Sequence, residues 1–147
     1  MKFRFIWIGK TRNKNWLALQ EEYLRRLLHF TKVEVLELKE SNDKFQESKQ
    51  IIENLNQKNF VVLLDEKGKM LSSVELARQI EKWQVSGTKE ITFVIGGAEG
   101  VTSEVAQRAN FSLSLSVLTF THEMARVILL EQLYRAYTIM KGYPYQK

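Results

Sequence analysis

The sequence contains no cysteine, and its one proline, Pro144, lies close to the C-terminus. Without cysteine there is no disulfide, no thiolate nucleophile and no zinc–thiolate site. With proline confined to the end, no helix or strand interior is interrupted. The two histidines, His29 and His122, stand too far apart to form a metal-binding motif, and no metal is expected. No apolar run approaches the ~20 residues of a membrane span. The N-terminal MKFRFIWIGKTR opens with one lysine and continues in strand-like alternation with no small-residue cleavage site, so it does not read as a signal peptide. A cytoplasmic protein without a membrane partner is expected.

What remains is ordinary for a globular chain. Its 147 residues are 44% hydrophobic and 27% charged, which fits one domain over residues 1–147 burying roughly two-thirds of its unfolded surface. The net charge of +5 suits a nucleic-acid partner, whose counterions are released on phosphate neutralisation. It suits many basic enzymes equally well.

Hydrophobic periodicity divides the chain into alternating strands and helices. Met1 to Gly9 is apolar on both parities after its first residues, as in a central strand of a covered sheet. Asn15 to Phe30 carries Trp16, Leu19, Tyr23, Leu27 and Phe30 at helical spacing, a stripe that reads as core packing. Thr31 to Leu38 alternates as a half-exposed strand, and Leu38 to Lys44 reads as a flexible loop. Asp43 with Gln46 resembles a capping box opening a polar helix over Phe45 to Gln57. Phe60 to Leu64 is a wholly apolar strand closed by Asp65 to Lys69. Ser72 with Glu75 gives a second capping box for a helix to about Val85, stopped by Gly87. Strand Ile91 to Ile95 follows, then a short helix through Val105 to Ala109 that Thr102-Ser103 can cap. Phe111 to Leu118 reads as a strand, and a long helix runs from Thr121 or His122 to Gly142. This βαβαβαβαβα order predicts an α/β domain with a mainly parallel sheet and helices on both faces.

The densest glycine cluster, Gly96, Gly97 and Gly100, follows the strand Ile91 to Ile95, the place where open α/β sheets seat ligands. Its GGxxG spacing is neither the dinucleotide fingerprint nor a P-loop. A tight turn would use the same glycines; so would a ligand such as adenine or ribose, held by backbone groups at close approach. Leu115 to Phe120 reads either as core strand and exit turn or as a second backbone wall against Gly96-Gly97. His122 stands in the first turn of the last helix, as a cap-region side chain or as a base. Arg126 and Arg135 are nine residues apart, about 180° around that helix, so they do not simply serve one site in one subunit. Arg25-Arg26 reads as a solvated face or as a phosphate contact.

Taken together, Leu63-Leu64-Asp65, Gly68-Lys69, Ser72, the run Phe93 to Gly100, the run Leu115 to His122, Arg126-Val127 and Glu131 to Ala136 resemble the RlmH family. Tyr23 to Arg26 and the aromatic C-terminal tail share in the likeness, which covers essentially the whole chain. The family comprises small SPOUT-class methyltransferases acting on 23S ribosomal RNA. The resemblance implies an α/β SPOUT-type domain with a C-terminal trefoil knot, an exception to the unknotted rule. It implies S-adenosylmethionine as methyl donor, held by Leu64, by the loop with Gly96, Gly97 and Gly100, and by Leu115, Ser116, Val117, Leu118, Thr119 and Phe120. It implies a homodimer in which the tail of one subunit completes the other's site. Its substrate would be N3 of a pseudouridine in the 23S rRNA of the 70S ribosome. Catalysis and substrate contact would fall to His122, Arg126, Tyr145 and Lys147, with Arg25, Arg26 and Lys147 on the RNA.

Two positions depart from the family's pattern. Gln146 stands where a histidine is usual, and a glutamine exchanges no proton near neutral pH. If that histidine is a general base, its loss lowers rate by ~10²–10⁴, and the chain would be a cofactor- and RNA-binding member with weak or no catalysis. Thr121 replaces a proline, a milder change at a helix start.

Overall fold

The computed structural model describes residues 1–145; Gln146 and Lys147 lie outside the described residues. Five strands alternate with five helices: β1 Lys2–Ile8, α1 Lys14–Leu27, β2 Lys32–Leu38, α2 Lys44–Glu53, β3 Phe60–Met70, α3 Ser73–Val85, β4 Glu90–Ile95, α4 Ser103–Arg108, β5 Phe111–Ser114 and α5 His122–Lys141. The sheet is parallel throughout in the order β2-β1-β4-β3-β5. This is the α/β architecture that the alternating periodicity implied.

Side chains of one strand point alternately to opposite faces, and β1 supplies both cores. Phe3, Phe5 and Trp7 join Phe93, Ile95, Leu113 and the apolar stripes of α1, α3 and α5 on one face. Ile6 and Ile8 join Val61, Leu63 and Val94 under Ile51 of α2 and Val105 of α4 on the other. Helix termini carry local signals. Ser72 and Glu75 form a reciprocal capping box on α3, and Gly142 ends α5 in the left-handed region at φ 69°. Asp43 caps α2 alone, because Gln46 Oε1 accepts from Ser41 Oγ instead. Thr102 precedes α4 without using its side chain as a cap.

Three sequence expectations change at the carboxyl edge of the sheet. Strand β3 does not stop at Leu64 but resumes pairing with β5 at Lys69 and Met70, beyond a register shift. Gly68 makes this possible: a Cβ there would lie 2.7 Å from the backbone of Ser112. Strand β5 ends at Ser114 rather than Leu118, because serine side chains turn the chain. Ser114 Oγ donates to the Ser116 carbonyl, and the Leu118 N–H donates to Ser116 Oγ, both at 3.0 Å. The Leu38–Lys44 connection, expected as a flexible loop, is bonded to α2: Lys39 exchanges hydrogen bonds with the Gln50 amide, and the Ser41 N–H donates to Glu47.

From β5 at the sheet edge, residues 115–121 carry the chain back to α5, which packs against α1 and α3. The first turn of α5 sits at the end of β1, three strand spacings away, about 14 Å. Seven extended residues span up to about 23 Å, so this segment crosses the carboxyl ends of β3 and β4.

Candidate active site

That crossing encloses a cavity of about 630 Å³ at the carboxyl ends of β3, β4 and β5, within the ~300–1,000 Å³ range of small-molecule sites. One wall is the loop from Gly96 to Thr102 and the other is Leu115, Ser116, Leu118, Thr119 and Phe120; Leu64 to Lys67 form the floor, and His122 and Ala125 close one end. Of the residues expected to hold cofactor, only Val117 is absent from the lining; it is 72% exposed. The site therefore unites segments that are distant in sequence, because parallel strands place all their carboxyl ends on one edge.

The glycine wall is held from behind by residues that the sequence did not single out. Gly96 has no room for a side chain, since a Cβ would lie 2.6 Å from Val101 Cγ1. A Cβ on Gly97 would collide with the carboxylate of Glu47. Glu47 is buried on α2 and accepts from the Ser41 N–H at 2.9 Å; its neighbour Ser48, also buried, accepts the Thr102 N–H at 3.0 Å. Two consecutive α2 residues thus meet both ends of the loop. The polar, weakly amphipathic character of α2 concealed this, because buried carboxylates are rare and nothing local marks Glu47.

The His122 end is anchored as firmly. Glu123, in the first turn of α5, accepts the backbone N–H groups of Arg12 and Asn13 at 2.8 and 3.1 Å. These bonds, the one from Arg12 foremost, hold its carboxyl below the ordinary glutamate range. Arg126 is turned away from the cavity and buried: it donates to the Ile8 carbonyl at 2.6 Å and to Thr11 Oγ1 at 2.9 Å, with its guanidinium 5.0 Å from the Trp7 ring centroid. Burial pushes its pKa down from the usual arginine value, and its Nε has no hydrogen-bond partner among the described residues. Its place is behind the site, joining α5 to β1.

The remaining expected residues do not converge on the cavity within one chain. Tyr145 is half-buried against α1 and α5, donating to Glu131 at 3.0 Å and sharing a 3.3 Å bond with Tyr23. Burial, reinforced by those two bonds, raises its pKa. Glu131 is about 14 Å along α5 from His122, nine residues at 1.5 Å each. Arg26 stacks on Tyr23 and Tyr134 and pairs with Glu22 at 2.9 Å, while Arg25 is exposed. Arg135 pairs with Glu131 and lies under the Tyr145 ring. Lys147, expected in both catalysis and RNA contact, lies outside the described residues.

Residues 1–146 match the family described as "Predicted SPOUT methyltransferase". The chain belongs to the SPOUT methyltransferase family. Among its relatives, a protein named ribosomal RNA large subunit methyltransferase H from Desulfotalea psychrophila is 42% identical over the full length of both chains. One of the same name from Dictyoglomus thermophilum is 44% identical over 99% of each. The fold is similar to that of a probable methylase family protein from Haemophilus influenzae, with a TM-score of 0.58 at 13% identity, covering 99% of this chain and 70% of that one. In this SPOUT chain no helix among the described residues is long and apolar enough to cross a membrane. No group of three or more His, Cys, Asp or Glu among those residues is placed to hold a metal ion.

Proposed function

We propose that this chain is an S-adenosylmethionine-dependent methyltransferase of large-subunit ribosomal RNA, with N3 of a 23S pseudouridine in the assembled 70S ribosome as its target. One observation carries this reading: the cavity lies between two backbone walls, one rich in glycine, at the carboxyl edge of a parallel sheet. Such walls suit a flat adenosyl group, bound by main-chain N–H and C=O groups with shape set by the absence of Cβ atoms. The bound donor would supply an electrophilic methyl group on a sulfonium. The chain's own contribution is to hold that methyl in line with a ring nitrogen and to assist loss of the imide proton. His122, which lines the cavity, is the residue this reading assigns to that proton.

The tail belongs to the partner in this reading. Tyr145 docks about 14 Å of helix away from its own cavity, so a homodimer with its seam at α1 and α5 brings Tyr145 to the opposite site. Arg25 and Arg26 flank that seam as RNA contacts. The 115–121 crossing, returning α5 to the end of β1, is the segment that closes the trefoil knot. A cytoplasmic enzyme follows from a ribosomal substrate.

The test is mass spectrometry of ribosomal RNA from cells with and without the protein, joined to methyl transfer onto purified 70S ribosomes. Loss of one methyl group from a defined pseudouridine supports the reading. No turnover with either Gln146 or Gln146→His, while S-adenosylhomocysteine still binds, supports instead a cofactor- and RNA-binding protein.

A further inference from the structure

Phe45 is 67% exposed at the start of α2, an unusual place for a large apolar ring. Glu47, about 200° around the helix from Phe45, is buried against Gly97, and Ser48, three residues on and so on the ring's own flank, is buried and bonded to Thr102. The ring therefore stands on the same helical turn as the two residues that back the cofactor loop. Its surroundings are cationic. Lys44 Nζ lies 5.9 Å from the ring centroid, and Arg12 reaches across to Glu40 at 3.2 Å, so the β1–α1 and β2–α2 connections are neighbours. Residues 10–14 and 39–44 carry Lys10, Arg12, Lys14, Lys39 and Lys44 against only Glu40 and Asp43, and Asp43 is engaged in capping α2.

This ledge is fixed to the cavity from both sides. Glu123 grips the backbone of Arg12 and Asn13 beside His122, and Glu47 and Ser48 grip the glycine loop. We propose that Phe45 and the cations of the 10–14 loop form the RNA-binding ledge of this enzyme, with Phe45 stacking on an unpaired base next to the target nucleotide and Lys10, Arg12 and Lys14 taking flanking phosphates. An exposed ring among cations matches the two faces of single-stranded RNA, the apolar base and the anionic backbone. The assignment rests on the ribosomal RNA reading above and adds a surface to it. Substitutions here spare the anchors, because Glu123 binds main-chain N–H groups of residues 12 and 13, and Asp43 binds that of Phe45.

The test is to titrate the labelled full-length protein, with S-adenosylhomocysteine bound, against purified 70S ribosomes over a series of KCl concentrations. Phe45→Ala is expected to weaken ribosome binding about 5- to 100-fold, the effect of losing one stacked base, and Phe45→Trp to restore it. The combined Lys10→Ala, Arg12→Ala, Lys14→Ala variant is expected to lower the salt slope by about 2, from three lost phosphate contacts. Thermal midpoint and S-adenosylhomocysteine affinity stay unchanged in both. Wild-type binding with both variants indistinguishable from it overturns the ledge alone. Failure of wild-type protein to bind ribosomes overturns the ribosomal reading with it. Weakening by Phe45→Ala with an unaltered salt slope in the basic-loop variant points to a protein partner and also overturns the proposal.

Discussion

Arg126 Nη2 donates to the carbonyl oxygen of Ile8 at 2.6 Å, joining the last helix to the end of the first strand across 118 residues of sequence. With Thr11 as its second acceptor, the guanidinium fixes where α5 begins, and so where the 115–121 segment must cross to form the cavity wall.

Arg126→Ala leaves the Ile8 carbonyl and Thr11 hydroxyl without their donor and opens a void beside Trp7. A loss of about 2–4 kcal/mol is expected in urea denaturation. Arg126→Met fills the volume and removes a buried charge to which no carboxylate among the described residues is hydrogen-bonded, so it should cost less than alanine. Methyl transfer is expected to follow stability in this series. An inactive variant of wild-type stability would instead place Arg126 at the reacting atoms.

Gly97→Ala forces a methyl group against the Glu47 carboxylate. S-adenosylhomocysteine affinity, measured by calorimetry, should fall by about 1–3 kcal/mol as the wall shifts. Adding Glu47→Ala removes the obstacle, and the double variant should bind more tightly than Gly97→Ala alone. Additive losses would show that Glu47 does not position the loop.

Gly68→Ala meets backbone rather than a movable side chain, 2.7 Å from Ser112. Pairing of Lys69 and Met70 with β5 is expected to break, costing about 1–3 kcal/mol. Amide exchange at the residues of β5 should accelerate, since this edge strand pairs with β3.

Glu123 contributes to stability through its depressed pKa, and the sign of its pH dependence follows. A carboxylate held below its ordinary value of 4.5 stabilises the fold above that pH. The contribution is lost as pH falls through the lower folded-state value. Glu123→Gln should therefore reduce the denaturation midpoint near neutral pH, and its curve should converge on wild type in acid. A constant gap across the acid range would mean that the ionised form matters little.

Burial on both parities marked β1 as central, because a strand covered by helices has no solvent face. Glycine punctuation marked one cavity wall for a local reason, since close backbone approach leaves a compositional trace, whereas the serine turn that forms the other was read as a continuing strand. Gly68 was legible only as a turn, since its close neighbour, the Ser112 backbone, is 44 residues away in sequence. Glu47, Ser48 and Arg126 were illegible as supports for the same reason. A carboxylate, a hydroxyl and a guanidinium carry no sign of what they touch, and each acts here on backbone supplied by another element.

The sequence by itself determined the order of strands and helices, the caps at Ser72 and Gly142, and the membership of the glycine run in one strand-end loop. Those properties depend on neighbours within a few residues. Only the tertiary structure decided that three loops share one cavity, that Arg126 turns inward to Ile8 and that Tyr145 docks on Glu131. Each of these depends on the free energy of burying partners that the chain brings together only when folded.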